Sequence, residues 1–109
     1  MENLVKSKAR MVNNVPHFMV SMFFYGTIGR QRKSRHQSLT VGYIPKSEFN
    51  DITEREILAS ETRKTLEANK VKLAKPTVTV NFDHTESEEN GIFRWEPFHE
   101  DNIKRSLDL

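Results

Sequence analysis

The chain has 109 residues, 36% of them hydrophobic and 29% charged, with ten aromatics of which seven are Phe; that composition belongs to one small globular domain with a thin core, not to a disordered chain. It contains no cysteine, which excludes disulfides, thiolate metal sites and a thiol nucleophile. The net charge of +2 is divided unevenly: residues 1–46 hold eight Lys or Arg against Glu2, a net +7, and residues 47–109 hold nine against fourteen acids, a net −5.

Residues 1–16 mix Lys6, Lys8 and Arg10 with few apolar side chains and end at Pro16, the pattern of a basic N-terminal arm or an edge strand. From His17 to Ile28 the sequence is almost continuously apolar and aromatic, which predicts a central strand covered on both faces. Ser38–Ile44 alternates and stops at Pro45, so these two strands are expected to pair as an antiparallel hairpin. The linker Gly29–Gln37 is nine residues long, above the usual length of about two to five. It implies either a projecting ribbon or a mobile tip.

One helix is predicted over about Phe49–Asn69, with Ser47, Asn50 and Thr53 as cap candidates and acids in its first turns. Asp51 and Arg55 fit an i,i+4 pair, and Ile57, Leu58, Ala59 and Leu66, extended by Ile52, form a narrow apolar stripe. Thr77–Phe82 alternates cleanly as a strand, TESEENG at 85–91 reads as an acidic turn, and Ile92–Phe98 follows as a strand interrupted by Pro97. Residues 100–109 suit a C-terminal tail or a short helix. The expected fold is thus α+β: residues 17–99 as a single domain of ββαββ order, whose four-stranded, mostly antiparallel sheet carries one helix on one face.

The longest apolar run, residues 18–28, is shorter than the roughly 20 residues that cross a bilayer. The first sixteen residues lack the apolar core of a signal peptide. A soluble, cytoplasmic protein with no membrane partner is the expectation.

The strongest functional pattern is GTIGRQRKSRHQSLTVG, residues 26–42, in which Arg30, Arg32, Lys33 and Arg35 precede His36. Arginine clusters suit phosphate because the guanidinium donates in a planar fork, whereas a solvated hairpin tip explains the same residues with no ligand at all. Lys6, Lys8, Arg10 and the +7 half favour an anion-binding surface, with nucleic acid, DNA ahead of RNA, as the anion. Phe23, Phe24, Tyr25, Phe93 and Trp95 are expected in the core, although on an open sheet face they would stack bases.

Catalytic and metal patterns are weak. Asp83-His84 and His99-Glu100-Asp101 would face each other across the second hairpin, but no spaced metal-ligand motif and no nucleophile signature is present. The sequence therefore predicts a non-enzymatic accessory or regulatory protein with no metal and no cofactor, with a small metal-dependent nuclease using Asp83, His84 and His99 as the outside alternative. The competing reading is a protein-interaction or inhibitor module that docks on a larger partner through a charged face, including the −6 segment Asp83–Asp101, or through an open sheet edge. Opposite-sign halves and sheet edges also suit a homodimer.

Overall fold

The computed structural model describes residues 16–89 and 92–109. The predicted arm residues Lys6, Lys8 and Arg10, and the Asn90-Gly91 turn, lie outside them. The chain forms a small α+β unit in which one helical rod packs on an open antiparallel sheet of six strands, two more than the sequence predicts.

The sheet is organised by β1 (His17–Ile28). Along one edge β1 pairs antiparallel with β2 (Arg35–Pro45) over nearly its whole length. Its other edge is shared: residues 17–23 pair with β4 (Thr77–Glu89), and residues 26–28 pair with the three-residue β3 (Val71–Leu73). On its far side β4 pairs with β6 (Ile103–Asp108) through residues 77–82, and with β5 (Ile92–Glu96) through residues 84–89. The sheet thus has two long inner strands with short strands set end to end beside them.

Side-chain alternation assigns the faces. Phe18, Val20, Met22 and Phe24 of β1 and Val78, Val80 and Phe82 of β4 point to one side and are buried there with Val41, Ile44, Ile57 and Leu66. Phe49 closes this core at one end, with its ring 4.9 Å from Phe18 and 5.4 Å from Phe82. The opposite face carries Met19, Ser21, Phe23 and Tyr25 from β1 beside Asp83, Asn81 and Thr79 from β4. The expectation that β1 is covered on both faces holds only where His17, Ser21, Asp83 and Thr85 are buried. Farther along β1, Phe23 is 42% exposed, because the helix covers one side of the sheet only.

The helical rod consists of α1 (Asp51–Glu56), a π-helical turn (Ile57–Glu61) and α2 (Thr62–Ala68). Asn50 is the cap: its Oδ1 accepts from the Ile52 and Thr53 backbone N–H groups at 2.9 and 3.0 Å. The π turn shifts the phase of the buried stripe. Ile52 and Ala59, assigned to that stripe from sequence, are exposed, whereas Thr53, Thr62 and Thr65 are buried. Each hydroxyl is satisfied by a nearby carbonyl: Thr53 Oγ1 donates to Glu48 O ahead of the helix at 3.2 Å, Thr62 Oγ1 to Ile57 O at 2.9 Å and Thr65 Oγ1 to Glu61 O at 2.8 Å. A satisfied hydroxyl leaves the methyl free to pack, so threonine serves as a core residue here. The predicted Asp51–Arg55 pair is replaced by Glu54 with Arg105 of β6, at 2.9 Å.

Residues 100–109 are neither tail nor helix, since 103–108 form β6. Ile103 and Leu107 pack against the core and Arg105 reaches the helix from the same strand face. The acidic stretch read as a turn is likewise mostly strand, with β4 continuing to Glu89.

Gly26 is fixed by a close approach. A Cβ there would lie 2.2 Å from the Lys72 backbone oxygen, so any side chain pushes β3 off β1. Gly26→Ala is expected to lower stability by about 1–3 kcal/mol, in the range of overpacked sites, measured as a lower denaturant midpoint. An unchanged midpoint would show that β3 is not held in this register.

Candidate nucleic-acid interface

The β1–β2 connection is shorter than the sequence implies, because both strands extend into it and leave only Gly29–Ser34 between them. It is also braced. Gly29 adopts φ 57°, a left-handed backbone that glycine tolerates, and its N–H donates to Lys70 O at 3.0 Å. Gln31 Oε1 accepts from the Ile28 N–H at 2.8 Å and from Gln37 Nε2 at 2.8 Å, while Gln37 Nε2 also donates to Gly26 O at 2.9 Å. The tip is therefore a tied loop held against the start of β3, in place of a projecting ribbon.

Arg30, Arg32, Lys33, Arg35 and His36 are all exposed. The two-sided pairing of β1 brings further cations to the tip. Lys70 and Lys72 lie on the segment hydrogen-bonded to the tip, and Lys75 places its ammonium 5.4 Å from the Tyr25 ring centroid. Arg32 and Lys72 line one depression together with Thr27, Gln31 and Ser34. Among the described residues, none of these seven cations is in an ion pair. The acids nearest by topology are Glu67 in the last helical turn and Asp108, which faces Thr77 and accepts from its hydroxyl at 2.9 Å. His36 turns away from the tip arginines and packs its ring 4.7 Å from Tyr25 on the open sheet face.

The aromatics divide between the faces. Phe24 belongs to the core, as expected. Phe23, Tyr25 and Trp95 do not: they sit on the face without the helix, with Trp95 opposite Thr85 and 44% exposed. The Phe93 side chain lies outside the described ones. Phe23, Tyr25, His36, Lys75, Pro76, Thr77 and Thr79 surround a trough of about 470 Å³.

The paired acids and histidines resolve differently. Asp83 and His84 are adjacent on a strand and so point to opposite faces. His84 stacks on His99 with centroids 3.6 Å apart and planes 2° from parallel, and Asp101 completes a group whose ligand atoms lie within 4.8 Å of one another. Imidazole lone pairs lie in the ring plane, so two parallel rings aim theirs along lines that do not meet at one ion. The Lys46 ammonium also sits against the His84 ring, 2.9 Å from Nε2. This cluster is arranged as a stacked pair with charged edges, and Asp83 is on the other side of the sheet from it.

At the closed end of the open face, burial pushes the Asp83 carboxyl above its usual range, partly offset by Lys104. The folded chain then binds more protons than the unfolded chain between the ordinary and the raised pKa, so stability falls as pH rises through that interval. Asp83→Asn should therefore have a higher melting temperature than the parent at neutral pH. The gain should shrink as pH falls to the ordinary carboxylate pKa of about 4. A difference that stays constant across that range would show that Asp83 ionisation costs the fold nothing.

Among the described residues no helix is long and apolar enough to cross a membrane. The chain matches no protein-family model, no curated protein and no solved structure, so its functional reading rests on the geometry of this end of the sheet.

Proposed function

We propose that this is a non-enzymatic nucleic-acid-binding protein that grips phosphates through the basic end of its sheet. The observation that carries the reading is the convergence of Arg30, Arg32, Lys33 and Arg35 with Lys70, Lys72 and Lys75, all exposed and, among the described residues, none ion-paired. Unpaired cations on a braced backbone lose little conformational freedom of the main chain on binding, and a polyanion releases condensed counterions when they engage it. Isolated surface cations would serve solubility equally well when spread around the molecule. Their concentration at one end, with the acidic β4–β5 hairpin toward the other, favours an anionic partner over simple solvation.

DNA is the preferred ligand in this reading, and Lys6, Lys8 and Arg10 would add to the grip as an arm. Binding should be sensitive to salt: four phosphates neutralised on a duplex give a slope of log K against log salt near about −3.6. Replacing Arg30, Arg32, Lys33 and Arg35 by alanine should cost most of the affinity between about 50 and 200 mM salt and flatten that slope. Replacing Lys70, Lys72 and Lys75 should flatten it further. Fluorescence polarisation with labelled DNA and RNA measures both effects. If the quadruple variant binds as the parent does, the reading fails; if the parent binds no nucleic acid and a pulldown recovers a single protein partner, the docking-module reading replaces it.

A further inference from the structure

The open half of the helix-free face carries features that phosphate binding alone does not use. Phe23 is a large apolar ring left 42% exposed in the middle of a sheet, beside a chain segment whose remaining apolar side chains are mostly buried. It separates two depressions: one bounded by Tyr25, His36, Lys75 and Thr77, and one bounded by Asn81 and Lys104, with Phe23 and Thr79 shared by both. Tyr25 is held in place by the His36 ring at 4.7 Å and the Lys75 ammonium at 5.4 Å. Together they make a shallow channel across the Phe23 ring with Lys75 bounding one part and Lys104 the other, and Ala74, next to Lys75, lines the Arg32 depression of the tip.

Two features narrow the occupant. Lys104 at one end lies near Asp83, and Asp108 accepts from Thr77 near the other, so the surplus positive charge lies where Lys75 meets the tip cations, and that end disfavours a basic partner. Its floor presents a flat π surface flanked by small hydroxyls, Thr77 and Thr79, that leave the approach to Phe23 unobstructed. A base pair inside a duplex hides its faces in the stack, whereas an unpaired base offers both. A nucleic acid backbone already held at Arg32, Lys72 and Lys75, which border β1 on its Tyr25 and Thr27 side, would bring its next unpaired bases over this floor.

We propose that the Phe23 channel is a base-stacking site that makes the protein selective for single-stranded nucleic acid. One base stacks on Phe23, and the phosphates on either side of it run between Lys75 and Lys104. The inference rests on the phosphate-binding reading above and adds the strandedness of the ligand. No covalent step is involved.

The test compares a labelled oligothymidylate with a labelled mixed-sequence duplex, using the full chain and three variants. The parent should bind the single strand more tightly. Phe23→Ala should weaken single-strand binding by about 5- to 150-fold, the range for one lost base–aromatic stack, and leave duplex binding unchanged. Phe23→Tyr retains a ring and should keep the parent's preference, which separates stacking from any effect on folding. The quadruple tip variant should lose affinity for both ligands. Equal single-strand affinity of parent and Phe23→Ala, with tip-dependent binding intact, overturns the stacking site and leaves the phosphate grip standing. Tighter binding of the duplex than of the single strand by the parent overturns it as well. Failure of the parent to bind either ligand overturns both readings together.

Discussion

The fold depends on β1 being hydrogen-bonded along both edges by three different strands. One edge is taken by β2, and the other is divided between β4 and β3. Strand β3 is only three residues long and would gain little by pairing with anything less ordered. It can close on β1 because Gly26 has no Cβ, and its preceding residue, Lys70, takes a left-handed φ of 54° to make the turn out of α2. A backbone oxygen fills the space that any other residue at position 26 would need. That single contact joins the helix end, β3 and the hairpin tip into one rigid corner.

The corner explains why the charge is where it is. The helix runs back along the sheet from the acidic end, with Asp51 and Glu54 in its first turn, to the basic end at Lys70. Its dipole places partial negative charge at the C-terminus, where cations are favourable. Lys70, two residues past the end of α2, is thus stabilised locally while still exposed, and the tip arginines are held near it by Gly29 and Gln31. Concentrating like charges costs Coulomb energy, but solvent and salt screen exposed charges strongly over a Debye length of about 8–10 Å. The helix terminus and the surrounding water keep this arrangement affordable to a small domain.

Much of the architecture is legible in the sequence, and the parts that are not share a physical cause. The continuous apolar run at His17–Ile28 announces a central strand and the period-2 alternation at Thr77–Phe82 announces a second strand, and Asn50 stands among the predicted caps. The missed strands are short and lie at the edges. In β6 the two packed residues, Ile103 and Leu107, are four apart, a spacing that fits a helix as well as a strand. In β3 the pairing comes from a tertiary contact at Gly26, for which a local pattern holds no signal. Thr62 and Thr65 are invisible as core residues in the sequence because hydropathy scores the hydroxyl and not its hydrogen bond, and the π turn defeats a stripe counted at a constant 3.6 residues. For the site, Arg30, Arg32, Lys33 and Arg35 are visible as a run. Lys70, Lys72 and Lys75 join them only through the fold.

The same limit applies to the aromatics, and there it has a functional consequence. Phe23, Phe24 and Tyr25 are consecutive, so a sequence that reads them as core cannot tell which of them the strand turns outward. One helix covers one face, and the register of β1 sends Phe24 under it and Phe23 and Tyr25 away. At the His17 end the second face is buried, with His17, Asp83 and Thr85 shielded from solvent, and that burial raises the Asp83 carboxyl. At the tip end the face stays open, beside the unpaired cations. Burying Phe23 would ordinarily contribute about 1.5–3 kcal/mol to a fold that has little to spare. Phe23, like Trp95 farther along the same face, keeps its ring partly exposed, and beside the exposed cations of the tip end that ring supplies the apolar half of the single-strand site proposed above.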